Sequence, residues 1–233
     1  MKRSVLHLLV LALLAGVPLV AAPPAPADDG WSTGAVRDEL RPLFRREAKG
    51  GPADAARLII ESDQREGLNG WWTKTFPVSG GQHYHFTALR KVTNAESPRR
   101  TGVVRILWRD ASGKPVSHDE PSFASYRPGD YPRSEPELPG DKATDARGWT
   151  EVSDTYRAPS KAAQAIVELH FRWAANARVE WANVALTAVP APAARVVRLA
   201  AAHFVPRNTK TPDRKSTRLN SSHSQQSRMP SSA

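Results

Sequence analysis

The chain has 233 residues, of which 40% are hydrophobic and 24% are charged, a composition typical of an ordinary globular protein. It contains no cysteine, which excludes disulfide scaffolds, thiolate zinc sites and cysteine nucleophiles. The net charge of +10 is unevenly spread: Lys2 and Arg3 contribute two charges, residues 209–233 a net four, and residues 23–208 the remaining four. A net charge of +4 on residues 23–208 is too small to indicate a phosphate-binding surface, so no nucleic-acid partner is expected.

The N-terminal segment has the layout of a secretory signal peptide. The two basic residues precede an apolar run at 5–15, and small residues and a proline follow it. A membrane anchor is the alternative, although Gly16 and Pro18 interrupt a stretch that is already short for a bilayer span of about 20 residues. We therefore predict a signal peptide over 1–22 and a linker over 23–30. The protein is expected to be exported to the periplasm or the extracellular space, with no membrane partner after cleavage.

The body of the chain shows a period of two in its apolar residues, which indicates β-strands. Glycine and proline turns separate the apolar segments, and 20 prolines argue against long helices. The fold class that we predict for residues 31–189 is all-β, an antiparallel jelly-roll β-sandwich. Residues 115–147 show no alternation and are expected to form a long loop. The predicted strands lie at 57–62, 71–78, 83–89, 103–109, 149–156, 165–173 and 179–189.

Alternation within these strands assigns side chains to faces. The apolar sets expected in the core are Tyr84, Phe86 and Ala88; Val104, Ile106 and Trp108; and Val167, Leu169, Phe171 and Trp173. If the strands at 83–89, 103–109 and 165–173 share a sheet, its outer side carries Arg109 and several further polar residues, and is either simply solvated or a ligand surface. Trp71 and Trp72 must face opposite ways, so one of them lies outside the core, where its ring can stack on a sugar. The candidate ligand-binding residues are His85, Arg105, Glu168, His170, Arg172 and Trp71.

Other chemistries have weaker support. His83 and His85 share a strand face, which would suit a metal pair, but no third ligand is evident and surface histidines are favoured. Carboxylates follow the strand at 103–109 and continue into the long loop, at Asp110, Asp119, Glu120 and Asp130. Their oxygens would suit a structural calcium ion, and no other cofactor is expected. Glycoside hydrolysis needs two carboxylates at a fixed separation, which a proline-rich loop does not suggest, so no catalytic residue is assigned.

The order of several short motifs resembles the galactose-binding-like jelly roll of carbohydrate-binding modules. These motifs are Gly-Trp-Trp-Thr-Lys-Thr-Phe-Pro-Val at 70–78, Gly-Gly-x-x-Tyr-x-Phe at 80–86, Ile-Leu-Trp-Arg-Asp-x-x-Gly-Lys at 106–114, Trp-Thr-Glu-Val at 149–152, Tyr-x-Ala-Pro at 156–159 and Val-Glu-Trp-Ala-Asn-Val-Ala-Leu at 179–186. Each motif mostly encodes a strand and its turn, and their succession is more specific than any one of them. The resemblance implies a jelly roll and a glycan as partner.

A proline-rich linker over 190–195 precedes a second resemblance. Arg-Val-Val-Arg-Leu-Ala-Ala-Ala-His-Phe-Val-Pro-Arg at 195–207 resembles the first strand of the carbon–nitrogen hydrolase (nitrilase) superfamily, which we place at 196–208, while an eighth sandwich strand is the alternative. That family implies a glutamate, a lysine and a cysteine further along the chain. Residues 209–233 are expected to be a disordered tail, and the part from Lys215 resembles translated adapter sequence. We therefore expect a fragment whose C-terminal catalytic domain is missing.

The sequence thus predicts a non-catalytic accessory or carbohydrate-binding β-sandwich, not an enzyme as the chain stands. The resemblances imply that its parent is an exported carbon–nitrogen hydrolase. The alternative is a purely structural module that packs against the missing catalytic domain and has no ligand of its own.

Overall fold

A computed structural model describes residues 29–120 and 131–193. The predicted signal peptide (1–22), hydrolase strand (196–208) and C-terminal tail (209–233) lie outside the described residues, as does Asp130. The linkers at 23–30 and 190–195 are described only in part.

Strands dominate the described residues, and the helical segments are short. Two 3-10 turns occur at Asp38–Leu40 and Pro52–Asp54, and the helix α1 covers Pro98–Thr101. The strands are β1 (Ser32–Ala35), β2 (Leu43–Glu47), β3 (Arg57–Glu61), β4 (Asn69–Pro77), β5 (His83–Thr93), β6 (Gly102–Arg109), β7 (Gly140–Thr144), β8 (Thr150–Arg157), β9 (Gln164–Arg172) and β10 (Arg178–Val189). Within the described residues, no helix is long and apolar enough to cross a lipid bilayer.

The strands form two antiparallel sheets. One has four strands in the order β1-β4-β9-β6, and the other has six in the order β2-β3-β10-β5-β8-β7. The chain changes sheets at every step from β3 to β6 and again at every step from β8 to β10. This crossing pattern is that of a jelly roll. The predicted fold class, an all-β antiparallel sandwich, is therefore confirmed.

Alternating side chains from both sheets form the core between them. The inward sets predicted on the strands at 83–89 and 103–109 are all buried, as are Val167, Leu169 and Phe171. Trp72 and Trp181 complete the core from β4 and β10. Burying each large apolar side chain contributes about 1.5–3 kcal/mol, so this core is the main source of stability in a chain that has no disulfide.

All seven predicted strands are present, but the sequence did not indicate β1, β2 or β7. All three are edge strands, and all of their residues are exposed or half-buried, so they lack the apolar alternation that marks the central strands. The prediction of a continuous loop over 115–147 is wrong for Gly140–Thr144, which pairs with β8. Isolated bridges also tie this segment down, because Pro115 pairs with Arg109 and Glu137 with Ile106, along the free edge of β6.

Candidate functional site

The outer side of the four-stranded sheet brings five of the six candidate residues together. Strand β9 runs between β4 and β6, and the register places Trp71 opposite His170 and Arg105 opposite Glu168. Arg172 lies two residues beyond His170 on the same side of β9. We call Trp71, Arg105, Glu168, His170 and Arg172 the polar face.

His85 does not belong to this group. The expectation that its strand shares a sheet with the strands at 103–109 and 165–173 is wrong, because β5 pairs with β10 and β8 in the six-stranded sheet. The outer sides of two packed sheets point in opposite directions, so His85 lies on the far side of the sandwich from His170. There its Nδ1 atom lies 2.9 Å from the hydroxyl of Thr155.

A chain of charged and polar contacts crosses the polar face. The Nε2–H of His170 donates to Oε2 of Glu168 at 2.8 Å, and Nη1 of Arg105 lies 3.4 Å from the same oxygen. Only 3% of the His170 side chain and 14% of the Glu168 side chain are exposed. Glu168 is thus fixed between its two partners, and its position does not depend on solvent.

Burial lowers the pKa of His170, the hydrogen bond to Glu168 opposes this, and the positive charges of Arg172 and Arg105 lower the pKa further. The ring is therefore neutral near pH 7. With Nε2 protonated toward Glu168, Nδ1 is a bare acceptor, and it has no partner within the part of the chain that the structure describes.

Trp71 lies on the polar face against both of its neighbouring strands. Its ring stacks on the His170 ring with centroids 5.0 Å apart and an angle of 29° between the planes. On the β1 side, a Cβ atom added to Gly34 would lie 2.7 Å from the indole, a distance too short for any real contact. As predicted, the two adjacent tryptophans face opposite sides of the sheet: Trp72 is buried in the core and Trp71 is half-buried on the outer side.

Three buried polar atoms on this side of the sheet have no hydrogen-bond partner within the described residues. They are Nδ1 of His170, Nε of Arg172 and Oδ1 of Asn69, which is the cross-strand neighbour of Arg172. Buried polar groups are usually paired in folded proteins, so these three atoms are exceptions. Asn69 was not among the predicted residues, since a single asparagine at the start of a strand carries no distinctive signal.

Trp173 corrects another prediction. It was expected in the core in phase with Phe171, but it is 60% exposed. Its backbone has φ 51°, in the left-handed region, so the strand alternation ends at Arg172 and the ring turns outward. The sequence Ala-Ala-Asn that follows has no strand formers, and this was the available signal that the strand stops before Trp173.

The outer side of the six-stranded sheet shows the contrasting case of a closed charge network. Opposite charges alternate across β2, β3 and β10, with separations of 2.7 Å from Arg45 to Glu61, 2.7 Å from Arg178 to Glu61 and 2.9 Å from Arg178 to Glu180. Arg57 continues the network from Glu180 to Glu47. Each of these charges has a partner of opposite sign, so this side of the sandwich is better described as a stabilising surface than as a binding site.

Two of the carboxylates considered for metal binding, Asp110 and Asp119, are engaged in other contacts. Asp110 accepts hydrogen bonds from the backbone amides of Ser112 and Lys114 and from the Ser112 hydroxyl, and the Ser112 hydroxyl bond is the leading cause that lowers the pKa of Asp110. Asp119 accepts from the Ser160 amide at 2.8 Å. Among the residues described, no three or more histidine, aspartate or glutamate side chains are grouped so as to hold a metal ion.

No family model matches the sequence, and no curated protein matches it. Among solved structures, the enzymatically active domain of tailspike protein 4 of bacteriophage CBA120 is 11% identical with a TM-score of 0.47, and the match covers 69% of this chain and 20% of that chain. The CBM22-1–GH10 modules of Clostridium thermocellum endo-1,4-β-D-xylanase 10B, complexed with xylohexaose, are 16% identical with a TM-score of 0.44, covering 74% and 28%. A family 16 carbohydrate-binding module is 13% identical with a TM-score of 0.44, covering 68% and 91%. The chain thus spans less than a third of the first two chains.

Proposed function

We propose that the polar face binds a glycan, and that this β-sandwich is a non-catalytic carbohydrate-binding module. The observation that carries the proposal is the stack of Trp71 on His170 beside the fixed Arg105–Glu168 pair. An indole ring packs against the C–H groups of a sugar, while guanidinium and carboxylate groups bond its hydroxyls with defined directions.

The arrangement favours binding over catalysis. Glu168 is the one carboxylate of the polar face, and it is held by His170 and Arg105. Glycoside hydrolysis uses two carboxyl groups on opposite sides of the scissile bond. An open sheet surface also encloses little of a ligand, so we expect affinities in the micromolar-to-millimolar range.

Calorimetric titration of the full chain against a panel of neutral and acidic polysaccharides tests this proposal. Trp71→Ala and Arg105→Ala are each expected to lower affinity at least about tenfold without loss of folding, since each removes a ring or a charged donor from the surface. Arg37→Ala is the matched control, because Arg37 is exposed and lies outside the polar face. His170→Ala should also lose binding, and thermal unfolding of that variant separates loss of contact from loss of fold.

Silence across the whole panel, or binding that Trp71→Ala and Arg105→Ala leave untouched, would contradict the proposal. The alternative would then stand: a structural module that packs against another domain and has no ligand of its own.

We infer further that the parent protein is an exported carbon–nitrogen hydrolase, on the resemblance of residues 195–207 and on the signal-peptide layout of residues 1–22. An independent genomic read past Arg214 tests the parent, because a glutamate, a lysine and a cysteine in that order are expected downstream. N-terminal sequencing of the exported protein tests the leader, and the mature chain should begin close to residue 23. A frame without these three residues would remove the hydrolase from the proposal and leave the glycan site unaffected.

A further inference from the structure

A cavity of about 330 Å³ lies beside the first residues of β6, next to the polar face. Arg172 and Val103, both on the outer side of the four-stranded sheet, line it, so the cavity continues the polar face beyond the end of β9. Arg90, Arg99, Arg100, Trp173 and Leu138 also line it. We call this cavity the arginine pocket.

The charge of the arginine pocket is strongly unbalanced. Four arginines line it together with a single carboxylate, Asp141. Asp141 is already engaged, because Arg90 donates to its two oxygens at 3.0 and 2.6 Å. The side chains of Arg99, Arg100 and Arg172 make no hydrogen bond or ion pair with any residue in 29–120 or 131–193. Within the described residues these three guanidinium groups thus form no close ion pair.

Arg172 is also close to a positive charge of the polar face. Burial lowers the pKa of Arg172, and the neighbouring positive charge of Arg105 lowers it further, although Glu168 opposes both effects. An anion bound beside Arg172 would offset the effect of Arg105 on that residue. Guanidinium forks pair with carboxylate and sulfate groups through two parallel hydrogen bonds, which is the geometry that such an anion requires.

Two exposed apolar side chains border the arginines. Trp173 is 60% exposed and Leu138 is 61% exposed. The left-handed backbone of Trp173 is unfavourable for a bulky residue, and the hydrogen bond from its amide to the carbonyl of Leu68, at 3.0 Å, holds it in place. The Arg172 guanidinium lies 5.8 Å from the centre of the Trp173 ring. Backbone strain of this kind is concentrated at functional sites, and here it accompanies an exposed aromatic ring beside the arginines.

The cavity on the other side of Trp173 differs in charge. Its volume is about 480 Å³, and Glu66 and Glu96 line it together with Arg100 and Arg172. Its charges balance, so it has no preference for an anion. Arg100, Arg172 and Trp173 line both cavities, whereas Arg90 and Arg99 line only the arginine pocket, which has no unengaged carboxylate among its lining residues.

We propose that the arginine pocket binds the acidic group of an anionic sugar, a carboxylate or a sulfate, with Trp173 stacking on the sugar ring. This inference rests on the proposed function, since it extends the glycan from the polar face into the pocket and names the ligand class as acidic polysaccharide. The combination of guanidinium forks with an exposed aromatic ring fits a charged pyranose, which offers both an anion and an apolar face.

Calorimetry on the full chain tests the pocket with matched pairs of probes: hexagalacturonate against its methyl ester, and a sulfated dextran oligomer against unmodified dextran. The charged member of at least one pair should bind at least about tenfold more tightly than its neutral partner. The pair that shows this preference identifies the anion as a carboxylate or a sulfate. The Arg99→Gln/Arg100→Gln variant should remove this preference, whereas Arg37→Gln should retain it. Raising the ionic strength should also reduce the preference.

Trp173→Gly provides a variant that keeps the fold. Glycine adopts the left-handed conformation at no steric cost, so this variant should unfold at the same temperature or higher while binding the charged probe at least about tenfold more weakly. Unchanged stability together with weaker binding would show that Trp173 contributes to ligand binding and not to folding. Equal binding by Trp173→Gly and the unaltered chain would overturn the proposed stacking role.

The outcomes separate the pocket from the polar face. One outcome is that neutral glycans bind, that Trp71→Ala abolishes this binding, and that neither charged probe is preferred. In that case the proposal for the arginine pocket is wrong, and the proposal for the polar face is supported. If nothing binds at all, both proposals fail. If a hexaglutamate peptide displaces the charged sugar with equal affinity, the pocket recognises acidic groups in general, and the assignment to a sugar is overturned.

Discussion

His170 combines near-complete burial with a hydrogen bond to a carboxylate and two nearby arginines. Burial is the leading cause of its lowered pKa, which means that the folded protein resists protonation of this ring. The unfolded chain has no such resistance and takes up the proton near the ordinary value of 6.5. Stability should therefore fall as the pH falls through that value, because the unfolded state binds the additional proton.

Replacing His170 by asparagine should abolish this pH dependence. The free energy of unfolding of the unaltered chain should decline relative to His170→Asn between about pH 7 and about pH 5, by up to about 1.4 kcal/mol for each pH unit. Urea unfolding at a series of pH values measures it. His85→Asn is the control, since His85 lies on the opposite sheet beside Thr155 and is not buried. Parallel curves for the unaltered chain and His170→Asn would show that His170 is not held neutral by the fold.

At the scale of single elements, β1 positions the aromatic ring of the polar face. Gly34 lies opposite Trp71 in the register of β1 and β4, and it leaves the space that the indole occupies. A methyl group there would collide with the ring and push it from its stack on His170.

Gly34→Ala should accordingly weaken glycan binding several-fold while changing stability by no more than about 1–2 kcal/mol, since Gly34 lies on a short edge strand. Calorimetry of the variant, with thermal unfolding alongside, measures both quantities. Gly67→Ala is a suitable control, because a Cβ atom at Gly67 meets no neighbour closer than 3.9 Å. Unchanged binding by Gly34→Ala would mean that the Trp71 ring does not need its present position.

The period of two predicts which face of a strand a side chain occupies, because that depends on neighbouring residues only. It identified the inward residues of β5, β6 and β9 and brought Arg105, Glu168 and His170 together correctly. Sheet membership depends on long-range pairing, and no local pattern encodes it. The sequence therefore left His85 on the wrong sheet, since the chain crosses through α1 between β5 and β6 instead of forming a hairpin. The sequence also placed Trp173 in the core, because the strand pattern does not indicate the left-handed φ of 51° at that residue.

At the scale of the whole molecule, buried polar groups join the two sheets in addition to the apolar core. The Trp72 indole N–H on β4 donates to the Ile59 carbonyl on β3 at 3.2 Å, and Arg90 makes a second connection. Arg90 belongs to β5 of the six-stranded sheet, is 3% exposed, and donates at 2.8 Å to the carbonyl of Gly102 on β6 of the four-stranded sheet. The same guanidinium holds Asp141 of the edge strand β7 through two hydrogen bonds. One side chain thus connects both sheets and the segment that follows the long loop.

Arg90→Met should destabilise the protein by about 2–4 kcal/mol, because it leaves the Asp141 carboxylate and the Gly102 carbonyl without their donor in a poorly solvated place. Urea unfolding measures this, and the transition should remain single, since the apolar core still couples the sheets. Adding Asp141→Leu to Arg90→Met removes the stranded carboxylate together with its partner, so the double variant should be more stable than Arg90→Met alone. Additive losses in this cycle would mean that the two residues act independently, which would contradict the connection through Arg90.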